Sequence, residues 1–166
     1  QNVTSINKRI AKLKTVGVSL TQECVDTVAV FSDAVVKVKS ATSREDLEDA
    51  QDVMSSMEEL GQCRQTIEQL ISAPSMLKKA TATIKNLKKK KVDVAEAEAL
   101  LTAIQAKWTN LKSGVPQNSD VEAFLEEMEG LGDTVMPLMD KPENQKQGAA
   151  VFESGFLDTI VGWFGL

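Results

Sequence analysis

Apolar residues recur along this chain three and four positions apart, the period of a helix with one buried face. Val3, Ile6, Ile10 and Leu13 form the first such stripe, and Gly17 interrupts it. Ser19-Leu20-Thr21-Gln22 has the form of a capping box, in which the Ser hydroxyl accepts an early backbone N–H and Gln reaches back. It predicts a second helix over roughly 20–39. That segment is rich in valine, a modest helix former, so a strand over 35–38 is the competing expectation. Thr42-Ser43-Arg44-Glu45 opens a third helix through Leu47, Ala50, Val53, Met54, Met57 and Leu60. This helix either runs past Gly61 to Ile71 or kinks at the glycine, and Pro74, which lacks an N–H and clashes with the preceding turn, is expected to end it.

The pattern then starts again. Met76, Leu77, Ala80, Ile84 and Leu87 make a stripe, and Asp93-Val94-Ala95-Glu96 repeats the capping signal 74 positions after Ser19-Leu20-Thr21-Gln22. Leu100, Leu101, Ile104, Trp108 and Leu111 follow on one helix, broken by Gly114 and Pro116. Ser119-Asp120-Val121-Glu122 caps a last stripe of Phe124, Leu125, Met128 and Leu131, which runs up to Pro137. At the same offset Ile10 matches Ile84, Leu13 matches Leu87, Lys14 matches Lys88 and Val18 matches Val92, and Ala29, Asp46, Glu48 and Met54 match Ala103, Asp120, Glu122 and Met128. The shared order of helix, turn and cap suggests a duplicated three-helix unit, 1–74 and 75–140, then a polar linker over 141–148 and an apolar segment over 149–166. The expected fold is all-α: an antiparallel bundle of about six helices plus an apolar C-terminal helix.

Composition narrows the chemistry. The chain has 166 residues and no histidine, which removes the commonest general base and metal ligand. It has no glycine-rich phosphate loop and no nucleophile elbow, and seven aromatic residues with no tyrosine give few platforms for sugar rings. We therefore expect no enzyme and no cofactor. The net charge of −5 disfavours nucleic acid, which needs a basic face. Two cysteines, Cys24 and Cys63, are too few for a structural zinc site. They are either buried thiols or one disulfide between neighbouring helices, and the disulfide is favoured. Gln1 stands where a nascent chain has Met, as in a processed secreted protein, and Asn2-Val3-Thr4 fits a glycosylation acceptor. An extracytoplasmic location, secreted or on a cell surface, is the expectation.

Charge is segregated along the chain. Lys78, Lys79, Lys85, Lys88, Lys89, Lys90 and Lys91 fall in a stretch with no acid. They serve as the cationic end of a helix, or as a contact for an anionic partner, with Lys85 and Lys88 to Lys91 the strongest candidates. Asp120, Glu122, Glu126, Glu127, Glu129 and Asp133 lie in a stretch with no Lys or Arg. The two segments could pair within the bundle or between copies. The sharpest feature is the C-terminal segment, where Phe152, Phe156, Ile160 and Trp163 fall at helical spacing and Leu157, Val161, Phe164 and Leu166 widen the apolar face. It can pack on its own bundle, enter a groove of another copy or partner, or lie on a lipid surface. The functional expectation is a structural or assembly protein that forms homo-oligomers or larger assemblies through this segment. The alternative is a bundle that binds lipid, another amphiphile or a membrane surface.

Overall fold

A computed structural model describes residues 3–55 and 58–140. These residues form six helices: α1 (Val3–Thr15), α2 (Gln22–Ser40), α3 (Arg44–Ser55), α4 (Glu58–Lys89), α5 (Ala95–Leu111) and α6 (Asn118–Asp140). Among the described residues there is no strand, and the valine-rich 35–38 is helical. The fold is the expected all-α bundle. Asn2, Met57 and the expected linker and apolar segment lie outside the described residues, and so do Phe152, Phe156, Leu157, Ile160, Val161, Trp163, Phe164 and Leu166.

The chain divides into two compact units. Of the described residues, the first holds those up to Ile71 with Lys112–Asn118, and the second holds Ser72–Leu111 with 119–140. The division within α4 falls beside Pro74, which cannot donate to the Leu70 carbonyl one turn back. Yet Pro74 does not end the helix, contrary to the sequence expectation. Leu70, Ala73, Met76, Leu77 and Ala80 are all buried, and burial of this stripe on both sides outweighs a proline penalty of about 3 kcal/mol. Gly61 likewise sits inside α4, and Pro137 sits inside α6 without stopping it.

In the first unit, Ile6 of α1, Phe31 of α2 and Leu60 of α4 form a buried cluster, with Ile10, Val28 and Val35 packed against it. The α2 helix packs along α3. Its cap is Thr21 rather than the expected Ser19: the Thr21 side chain accepts from the Cys24 N–H at 3.4 Å. Thr21 is 5% exposed, and its hydroxyl takes up the Cys24 N–H, which has no partner within the helix. Ser43 caps α3 reciprocally with Asp46: the Asp46 N–H donates to Ser43 Oγ at 3.1 Å, and the Ser43 N–H donates to Asp46 Oδ2 at 3.2 Å. Hydrogen bonds from Ser43, first its side chain and then its backbone, hold the Asp46 carboxyl below its ordinary range. Cys24 and Cys63 form a disulfide between α2 and α4, with Cα atoms 5.6 Å apart.

In the second unit, Leu101, Ile104, Trp108 and Leu111 of α5 and Val121, Phe124, Met128, Leu131 and Val135 of α6 are all buried. The Trp108 and Phe124 rings lie 5.4 Å apart, tilted by 33°. Ser119 stands inside the first turn of α6 rather than capping it, because the helix begins at Asn118. Asp93 does serve the start of α5, accepting from the Ala95 N–H at 3.1 Å.

Two helix exits stand at the 74-residue offset. Gly17 after α1 and Lys91 after α4 both have positive φ, 83° and 62°. Each donates its N–H to a carbonyl three residues back, Gly17 to Lys14 and Lys91 to Lys88. After Lys91 the Val92 N–H also reaches the Leu87 carbonyl, completing a Schellman turn. Leu13 and Leu87, at the same offset, are both 1% exposed.

Candidate functional site

Among the described residues, no group of three or more His, Cys, Asp or Glu could hold a metal ion. No helix there is long and apolar enough to cross a membrane. One open cleft of about 410 Å³ lies in the second unit, lined by residues 92–97 at the start of α5 and by Thr134 and Leu138 of α6. Its carboxylates are Asp93, already engaged by the Ala95 N–H, and Glu96. Neither is offset by a cation in the lining, so the cleft offers little to an anionic ligand and has no paired acid and base.

The charged faces of the second unit are better defined. The lysines singled out from sequence do not act as one cluster. Lys88 donates to both carboxylate oxygens of Glu98, at 2.7 and 2.8 Å, and so ties the end of α4 to α5. Lys90 and Lys91 form the exit turn of α4 through their backbone N–H groups. Lys78, Lys85 and Lys89 remain on one face of α4, at i, i+7 and i+11, with exposed Ala82 between the first two. All three are exposed, and among the described residues no carboxylate lies within ion-pair distance of them.

The acidic segment divides in the same way. Glu127 pairs with Lys107 of α5 at 2.9 Å. Glu122, Glu126, Glu129 and Asp133 are exposed at i, i+4, i+7 and i+11 on α6, without an ion pair to any described residue. A helix turns by 100° per residue, so each set falls within a sector of about 60° and runs for about 16 Å along its helix. The sequence signal for these stripes was present in the spacing. Composition blocks hide it, because they mix stripe residues with ones already paired.

The first unit carries a different surface. Val25, Val30 and Val36 of α2, Val53 and Met54 of α3, and Val115 are exposed, with Val36 and Val115 above 60%. Sequence reasoning also passed over an ion-pair bridge there. Glu68 of α4 meets Arg9 of α1 at 2.7 Å and Arg64 at 3.2 Å. A pair one turn apart on α4 was legible in the spacing, but the Arg9 partner was not. Asn118 donates to Glu23 of α2, holding the loop before α6. In comparison with known proteins, no family model, curated relative or solved structure matches this chain.

Proposed function

We propose that this is a non-catalytic protein of an extracytoplasmic compartment that works by association, with copies of itself or with a partner, through the apolar segment 152–166. The observation that carries this reading is the distribution of aromatic residues. Four of the seven, Phe152, Phe156, Trp163 and Phe164, fall in the last fifteen positions. Only Phe31, Trp108 and Phe124 serve the rest of the chain. Buried aromatics supply much of the energy of an interface, so Phe156, Ile160, Trp163 and Phe164 are assigned as anchors. The Cys24–Cys63 disulfide supports an oxidising compartment, where such bonds form and persist.

The test is sedimentation velocity of the full chain against a chain lacking 149–166. The reading expects an assembled full chain and a monomeric truncated one. A full chain that is monomeric at high concentration contradicts it. Flotation of both chains with neutral lipid vesicles reads the alternative, because floating that requires the segment assigns it to a lipid surface instead.

A further inference from the structure

We propose that the lysine stripe of α4 docks on the acidic stripe of α6 in a second copy of the chain. This deepens the assembly reading above and rests on it, while using a different surface.

Three features support a second copy as the occupant. Lys78, Lys85 and Lys89 stand on one exposed helix face with no carboxylate partner among the described residues. Exposed Ala82 leaves that face low between the lysines, so another helix can approach it closely. The matching surface is on the chain itself. Glu122, Glu126 and Asp133 repeat the spacing of the lysines read in reverse, since steps of four and seven from one end meet steps of seven and four from the other. Three ion pairs therefore form at once when the two helices run antiparallel, Lys89 with Glu122, Lys85 with Glu126 and Lys78 with Asp133. Two other charge pairs in this unit are made within the molecule, Lys88 with Glu98 and Lys107 with Glu127, and neither stripe takes part in them.

The contact joins unlike surfaces, so it is heterologous and extends into rings or filaments unless it is reciprocated within a pair. Exposed ion pairs are individually weak and are screened by salt. The stripes therefore set orientation and approach, and the apolar segment provides the hold.

The experiment is sedimentation of the full-length chain at about 0.01 M and about 0.15 M salt, where the screening length falls from about 30 Å to about 8 Å. One variant carries Lys78→Glu, Lys85→Glu and Lys89→Glu, and another carries Glu122→Lys, Glu126→Lys and Asp133→Lys. Wild type should associate on the order of tenfold more tightly at the lower salt. Each variant alone should lose that salt-dependent part, and an equal mixture of the two should recover it, because their altered faces are again complementary. Recovery on mixing also shows that both variants are folded. Association unaffected by either reversal, or lost and not recovered on mixing, overturns the proposal. So does a loss confined to the lysine variant, which would assign the basic face to some other anion. If truncation of 149–166 still dissolves the assembly while the reversals change nothing, the docking inference falls and the assembly reading stands. If the reversals act and the truncation does not, the docking contact stands and the apolar segment is not the anchor.

Discussion

The two units use the same kind of helix to different effect. In the first, α2 buries only Cys24, Phe31 and Ala34 over 19 residues. In the second, α5 buries Ala97, Leu101, Ile104, Trp108 and Leu111 over 17. The imbalance extends to the partner helices, since among the described residues α3 buries Ala50 alone where α6 buries Val121, Phe124, Met128, Leu131 and Val135. Every exposed large hydrophobic among the described residues belongs to the first unit, and so does the disulfide. A thin core benefits most from a covalent staple, because the crosslink removes entropy from the unfolded chain without needing buried area. Both charged stripes lie on the second unit, on helices that also carry residues buried in its core.

The largest test of this contrast is Phe124→Ala. Phe124 is 0% exposed and stacks near Trp108, so its loss should cost about 3–5 kcal/mol and leave the disulfide-bonded unit the more resistant one. Denaturant unfolding followed by Trp108 fluorescence, in a Trp163→Phe background, reads it. If the midpoint barely moves, the second core is not what holds that unit.

A smaller effect separates the two helix exits. Gly17→Ala should destabilise by about 1 kcal/mol, since φ of 83° disfavours any Cβ. Lys91→Gly should stabilise by about 1 kcal/mol, because a non-glycine residue now occupies the left-handed position. Thermal melts of the two variants should shift in opposite directions, and shifts of the same sign would remove the parallel between the exits.

The all-α class and a count of about six helices were legible in the sequence, because the apolar stripes survive any choice of tertiary partner. The third and fourth helices divide elsewhere than expected: Leu60 lies on α4 with Met76 and not on the helix of Leu47. Boundaries were less so. Pro74 and Pro137 read as stops on local chemistry alone, but both stand inside their helices, and at Pro74 buried residues on both sides carry α4 through. Ser19 reads as well as Thr21 for a cap until burial distinguishes them. The disulfide was favoured without being fixed, since 39 residues separate the cysteines and only the crossing of α2 with α4 brings them together. The lysine run was visible, but which lysines are free depends on Glu98 and on the left-handed turn at Lys91, and a single sequence displays neither.

The contrast between a stapled unit and a packed one is tested most directly by hydrogen exchange on the chain with the Cys24–Cys63 bond reduced. In the chain-entropy model, a crosslink closing a loop of this length contributes about 4 kcal/mol. The account predicts that reduction strips amide protection from α1, α2 and α3 and from 58–71, while α5 and α6 keep theirs. Equal loss of protection in both units, or none in either, would contradict it.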